Sequence, residues 1–453
     1  MRRVLGICMV LVLCSVTAIA EAEMDADWYK NLPEYDADIE AQCADSVGAL
    51  SNVPVGLSLN TRQASGLYDS SANVTTEGIF AVHWNPSTGA TEQKVSDLLD
   101  RLHEVRCLCL EWGMEDPPTV GRNVYYNVFF EDGRGQGQGT HMGLPYLNLP
   151  VTNPAVEHEG FHIFQYDATA PGFEYAGDSQ WFIETSAQWF KAYMKPTATS
   201  TFIEAMAILY NPHLALWHSF SNEAPGDPDS SMWTYGVRQY ALGTWLYYLT
   251  EIAGVMKRAA IPAAFYTDTA MLPQEFFYRH VGEDVFRVAF ADWAAHSCAD
   301  FDYLTRSQER YARMHSNGFV YQQENLVAPF VAELSSEGTG GSWQSPPPEL
   351  QPRGWSFNVV RVEYPTPGVY EMAIQGDAEG SLGAPSHFEA RFVAMYGRDP
   401  AVFAAFDMVD ELAGSATVEV AQGATELYLV IAAVPAHFTG NQSYGYQYRV
   451  TGP

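Results

Sequence analysis

The sequence predicts an α+β protein whose first part mixes strands and helices and whose last part is an all-β sandwich. Two observations predict it. Between Gly78 and Arg313, short strand-like apolar runs alternate with longer segments whose apolar residues recur every three or four positions, the helical period. Beyond Val327 the texture changes to short runs separated by Gly and Pro: Phe357–Val362, Val369–Ile374, Phe388–Met395, Thr417–Val420, Leu427–Val434 and Tyr444–Val450. Strands at this spacing form sandwiches. The Pro-rich piece Ser345–Pro352 is the looser part of the junction, and no internal repeat is visible. The expected organisation is a leader over 1–22, a lead-in over 23–77, a mixed domain over 78–326 and the sandwich over 327–453.

The leader follows from Arg2 and Arg3 ahead of the apolar run Val4–Ala20, which is short for a membrane span and ends in small residues at Ala18, Ala20 and Ala22. That is the pattern of a secretory signal peptide. Apolar runs elsewhere, such as Leu427–Phe438, suit strands better than a bilayer, so the chain is expected to be exported, extracellular or periplasmic, without membrane insertion. Its 24 Lys and Arg against 54 Asp and Glu give a net charge of -30. Coulomb repulsion then argues against nucleic acid or an anionic membrane as partner. Asn73-Val74-Thr75 and Asn441-Gln442-Ser443 are glycosylation sequons in a eukaryotic setting.

Removal of the leader takes Cys8 and Cys14 with it and leaves Cys43, Cys107, Cys109 and Cys298, an even number in an oxidising compartment. Two disulfides are expected. If Val105–Leu110 is a strand, Cys107 and Cys109 share a face and a direct bond between them is strained, so they are expected to reach Cys43 and Cys298 in either order.

Within the mixed domain, Gly78–Trp84 reads as a strand, and Thr91–Arg106 as a helix from Val95, Leu98, Leu99 and Leu102. Val124–Phe130 is a second strand. Gly133–Gly139, with glycine at every second position but no GxxxxGK spacing, reads as a turn. Met142–Val151 carries Pro145 and Pro150 and therefore reads as an edge strand, where missing N–H groups need no partner. Asn153 and Pro154 then supply an N-cap and a first helical residue for a helix through Tyr166. A second helix lies between Asp178 or Ser179 and Pro196, and a third over Tyr235–Ile252.

The first of these helices holds His158-Glu159-Gly160-Phe161-His162, an HExxH pattern. Two histidines four apart on a helix share a face, so both imidazoles can meet one metal, and zinc accepts two neutral nitrogens and a carboxylate. Glu159, next to His158, is positioned to take a proton from zinc-activated water and hand it to a leaving nitrogen. Gly160 weakens the helix by about 1 kcal/mol relative to alanine, and small size beside the metal is one reason for it. In the second helix, Glu184 lies among Trp181, Phe182, Ile183 and Ala187, 22 positions after His162. A carboxylate in that setting needs a partner, and the loop Asp167–Gly177 lets the helices fold back on each other.

With these residues the sequence resembles the gluzincins, the peptidase group that includes thermolysin and aminopeptidase N, in which HExxH is followed about twenty residues later by a ligand glutamate. The resemblance covers roughly Gly78–Arg313 and is specific at His158, Glu159, His162 and Glu184. It implies a gluzincin-like catalytic domain (an edge-strand sheet plus a helical HExxH subdomain) and one Zn²⁺ held by His158, His162 and Glu184. Glu159 would be the base, a peptide or protein the substrate, and Met142–Val151 the strand that binds its backbone. It also implies a polar residue one turn after Glu184, where this chain has Gln188 instead of a carboxylate. Tyr240-Ala241-Leu242-Gly243 looks like the aminopeptidase helix that opens on a tyrosine, which makes Tyr240 the implied oxyanion helper, worth about 2–4 kcal/mol of barrier. Tyr235 is the alternative, as are His213 and His218 by analogy with the thermolysin histidine.

No GAMEN-like strand precedes the motif, which favours an endopeptidase over an aminopeptidase. The chain is also similar to secreted bacterial proteins that join an HExxH domain to a C-terminal sandwich. That sandwich is expected to contact substrate, a cell surface or glycan, or the catalytic domain itself. Two other readings stand beside the peptidase: a secreted binding or adhesion protein with a structural or vestigial zinc site, and a zinc hydrolase acting on glycoproteins.

Overall fold

The computed structural model describes residues 56–59, 73–132, 136–141, 143–152, 154–165, 170, 177–218, 232–266, 270–320, 330–335, 340–397 and 399–453. The expected signal peptide, Cys43, Met142, Asn153, most of the loop between the first two helices of the motif region, and the side chain of Tyr235 fall outside them.

The chain is α+β. Its first sheet contains β1 (Asn73–Glu77), β2 (Phe80–Trp84), β3 (Tyr126–Phe130), β4 (Gly137–His141) and β5 (Leu144–Leu149), in the order β1-β2-β3-β5-β4. The inner strands β2, β3 and β5 run parallel, while β1 and β4 are antiparallel to their neighbours. Parallel strands need cover. Here Phe80, Val82, Val128, Phe130, Leu147 and Leu149 share one core with Leu98, Leu102 and Val105 of helix α1 (Glu92–Glu111) and Phe161 of α2 (Val156–Gln165).

Three sequence expectations are corrected in this region. Val105–Leu110 is helix, not strand. Its alternation imitates a strand locally, but Val95, Leu98, Leu99, Leu102, Val105 and Cys109 are buried at helical spacing in one continuous helix, whose N-cap Thr91 accepts from the Lys94 N–H. On a helix, residues two apart diverge by about 200°. Cys109 points into the core as a free thiol, Cys298 is also free and buried, and Cys107 is disulfide-bonded to a partner outside the described residues. Cys109 and Cys298 therefore take no part in the two expected disulfides.

The edge of the sheet is also different from the one expected. β5, which carries Pro145, lies inside the sheet, and β4 from the glycine-rich stretch forms the edge. Pro145 is tolerated because the pairing of β5 with β3 begins only at Tyr146, opposite Asn127, and Pro150 follows the strand's last residue. Of the glycines that read as a turn, Gly139 is placed by close approach and Gly137 by a φ of +138°. A Cβ on Gly139 would stand 2.4 Å from the ring of Tyr146, and one on Gly137 would stand 4.0 Å from a carboxylate oxygen of Glu159.

The C-terminal strands agree closely with expectation. They are β6 (Ala332–Ser335), β7 (Ser356–Glu363), β8 (Gly368–Gly376), β9 (Phe388–Tyr396), β10 (Asp399–Ala405), β11 (Asp407–Met408), β12 (Ala413–Val420), β13 (Glu426–Ala433) and β14 (Tyr446–Thr451). One sheet has the order β10-β9-β13-β7-β6 and the other β11-β12-β8-β14. Val360, Phe392 and Leu429 of the first sheet pack on Tyr370, Ile374 and Tyr448 of the second. The first sheet's other face, with Trp355, Phe357, Val359 and Val430 on or beside it, joins the core of the mixed region. There Phe290 and Trp293 of the helix Glu283–Cys298 meet Trp355 and Phe357, and buried Arg391 of β9 pairs with Asp292. The result is three layers, helix on sheet on sheet.

His213 and His218 are buried at this seam, where the His213 carbonyl accepts from the Arg353 N–H and the Ser356 hydroxyl. Burial first, then the Arg353 and Arg238 guanidinium groups, push both imidazoles down to about 3. An unfolded histidine titrates near about 6.5, so the unfolded chain binds these protons first on acidification. Stability is therefore full above about pH 6.5 and is lost as pH falls toward 3. Urea midpoints are expected to fall already between pH 7 and 5, and to fall less in a His213→Gln/His218→Gln variant; equal slopes would remove this assignment.

Candidate metal centre

Helices α2 and α3 (Trp181–Met194) lie antiparallel, and their contacts fix the site. Phe161 stacks on Phe190 with centroids 4.7 Å apart. At one end Gln165 reaches Ile183 and Ser186, and at the other buried Glu157 pairs with Lys195 at 2.7 Å and with Arg101 of α1. Gly160 faces away from the motif histidines. A Cβ there would stand 3.2 Å from Val105 and 3.6 Å from Leu102, so the missing side chain serves the approach of α1 to α2, which corrects the expectation that it makes room beside a metal.

On the face toward α3, His158 and His162 are each only 6 % exposed. Their Nε2 atoms lie 3.2 Å apart, and the Glu184 Oε2 is 3.1 Å from the first and 3.3 Å from the second. Donors placed tetrahedrally around zinc at about 2.0–2.1 Å stand roughly 3.3 Å from one another. The three atoms thus already have the separations one such ion requires, and among the described residues this is the group of three that could hold a metal.

The electrostatics agree. Burial opposes charge on Glu184, but the His162 ring and hydrogen bonds from both imidazoles outweigh it and hold the carboxyl well below the usual carboxylate range. Burial likewise works against an imidazolium at His162, and the Glu184 carboxylate overcomes it, raising the ring to about 9. Two mutually stabilised groups of opposite charge occupy the place where a cation would replace the proton.

Glu159 is 7 % exposed, with a carboxylate oxygen beneath Gly137 of the edge strand. Tyr240, in α4 (Met232–Ala241), lies with its ring centroid 5.7 Å from that of His158 and within electrostatic reach of the Glu184 carboxylate. Burial, then the Glu184 and Glu159 carboxylates, push its phenol far up, so it stays a proton donor. The Thr185 hydroxyl donates to the Gln239 carbonyl at 2.6 Å, tying α3 to α4. In α5 (Gly243–Tyr247), Gly243 approaches so closely that a Cβ would stand 3.0 Å from Gln188. His213 and His218 belong to the seam between the mixed region and the sandwich, and the Tyr235 side chain lies outside the described residues.

Gln188, expected to tune the metal, points elsewhere. Its amide donates to the Thr201 carbonyl at 2.7 Å and to Glu204 at 3.1 Å. Glu204 is raised to about 7 by burial, partly offset by Lys191. The contact to the motif comes instead from Gln165, whose Oε1 is 2.6 Å from Nδ1 of His162, with Ser186 behind it. Sequence reasoning missed both; the one available signal was that Gln165 stands three residues after His162, on the same helix face.

No family model matches the chain, and no curated protein matches it. Among solved structures, the pre-peptidase C-terminal domain of a collagenase from Bacillus anthracis matches at 9% identity and a TM-score of 0.17, over 26% of this chain and 94% of that one. A family GH115 4-O-methyl-α-glucuronidase with specificity for decorated arabinogalactans matches at 10% identity and a TM-score of 0.16, over 75% of this chain and 53% of that one. Likenesses this low carry no functional argument.

Replacing His158, His162 or Glu184 by Ala is expected to lower zinc retained after dialysis from one equivalent to less than about a tenth. His213→Ala should retain it. Elemental analysis of the purified variants checks this, and full zinc in any of the first three removes that residue from the ligand set.

Proposed function

We propose that the chain is a secreted zinc-dependent peptidase of gluzincin type. The observation that supports it most is the convergence of two HExxH histidines and a distant glutamate at tetrahedral donor spacing, with a carboxylate and a phenol beside them. Among the described residues three protein donors converge, the set of a catalytic zinc, whereas structural sites take four. That difference favours an enzyme over a binding protein with a structural ion. Export is supported by the Arg2-Arg3 leader pattern.

Bound zinc supplies a Lewis acid that polarises a carbonyl and makes water nucleophilic near neutral pH. The chain's residues do the rest. His158, His162 and Glu184 would hold the ion. Glu159 accepts the proton that the attacking water releases and returns it to the leaving amine. The Tyr240 hydroxyl donates to the oxyanion that develops on the substrate. A substrate backbone pairs along the free edge of β4, next to Glu159, the role that the gluzincin resemblance gave to Met142–Val151.

Glu159→Gln should keep zinc while lowering peptide turnover by at least about 10²-fold. Tyr240→Phe should lower kcat by about 10²- to 10³-fold with a smaller change in KM. A quenched fluorescent peptide library, run beside glycoprotein substrates, reads both. Unchanged cleavage in Glu159→Gln sinks the peptidase assignment, and turnover confined to glycoproteins shifts it to the other hydrolase.

A further inference from the structure

The contact between His162 and Gln165 bears on how the metal ligands are held, and its interpretation rests on the zinc site of the proposed peptidase. Gln165 is fully buried, one turn beyond His162 on α2. Its Nε2 faces two acceptors, the Ile183 carbonyl at 3.3 Å and the Ser186 hydroxyl oxygen at 2.7 Å. Ser186 can accept because its own proton goes to the Phe182 carbonyl, 2.5 Å away.

These partners decide which way the amide points. Flipping it would set Oε1 against the Ile183 carbonyl, acceptor against acceptor in a buried site, and would take the amide donor away from that carbonyl and from the Ser186 oxygen. Oε1 therefore faces Nδ1 of His162 at 2.6 Å, and that nitrogen carries a proton. With Nδ1 so held, the proton that a cation would displace is the one on Nε2, the atom beside Glu184 and His158, and its lone pair is left there for the ion.

We propose that Gln165 is the positioning residue of the metal centre, fixing the proton and rotation of His162 through a neutral amide that Ser186 and the start of α3 hold in place. Histidine ligands usually have such a partner, often a carboxylate. Here the support comes from the ligand glutamate's own helix, so the packing of α2 on α3 that brings Glu184 to the histidines also orients His162. His158 lacks an equivalent: among the described residues its buried Nδ1 has no hydrogen-bond partner.

The test is zinc affinity of the purified protein, measured by competition with a chromogenic chelator and so independent of turnover. Gln165→Met, close in volume but without the acceptor, should weaken zinc binding by about 10- to 100-fold. Gln165→Glu, which keeps an acceptor for Nδ1 but sets its second oxygen against the Ile183 carbonyl, should lose less than Gln165→Met, and so should Ser186→Ala. Affinity within threefold in Gln165→Met, or equal losses in the Met and Glu variants, overturns the proposal. If Gln165→Met does not fold by circular dichroism, Ser186→Ala decides, and parent-like affinity there overturns it. His158→Ala separates the levels. If it abolishes zinc binding while Gln165→Met leaves it intact, only the positioning role fails; if it binds zinc normally, the metal centre fails with it.

Discussion

The molecule's first half is organised around one electrostatic problem: Glu184 is a carboxylate on a helix whose other faces are buried among tryptophan and phenylalanine. Unpaired charge there would cost several kcal/mol. Two imidazoles from α2 resolve it, and they can do so only if α2 and α3 lie side by side in one register. The Phe161–Phe190 stack and the Glu157–Lys195 pair set that register away from the site. Glycine is then required where a third helix comes close, at Gly160 toward α1 and at Gly243 toward Gln188. Neither is near-metal architecture; both let helices approach the pair that bears the charges.

What could be read in the sequence follows from how local each signal is. HExxH spacing is a property of a single helix, and an apolar stretch around a glutamate is visible without a fold, so the three donors stood out at once. Sandwich strands were equally legible, because alternation and turn residues act over short stretches of chain. Elsewhere, tertiary context decided. Val105–Leu110 alternates like a strand, and only its continuity with the helical burial of Val95–Leu102 makes it helix. β4 could not be recognised from propensity, since glycine weakens strands. Its place in the sheet depends on the Tyr146 ring filling the space above Gly139. Gln165 and Ser186 carry no motif at all, because their role exists only once two helices meet.

The sandwich is less separate than the change in sequence texture suggested. β7, β9 and β13 bury residues on both faces, which fits a sheet covered by strands on one side and by a helix on the other. Of these, β13 runs as an almost unbroken apolar series, the pattern of an interior strand covered on both sides. Buried Arg391 is neutralised by Glu389 on its own strand and by Asp292 across the seam, and the latter pair ties the interface to one alignment. The seam continues to the metal region through Arg238, which stands two residues before Tyr240 on the same helix. Its guanidinium donates to the Asn211 and Leu214 carbonyls.

That linkage bears on why the phenol of Tyr240 is where it is. In the proposed role, Tyr240 must be held from behind, because its own hydroxyl has to be available at the front. α4 has three such holds: Arg238 on the segment leading into the seam, the Gln239 carbonyl on Thr185, and the close approach of the following helix at Gly243. Two of the three run to α3, the helix of Glu184. The Tyr240 phenol and Glu184 are therefore mounted on one pair of packed helices, and the third hold connects that pair to the sandwich, so the C-terminal layers contribute to this constellation as its support.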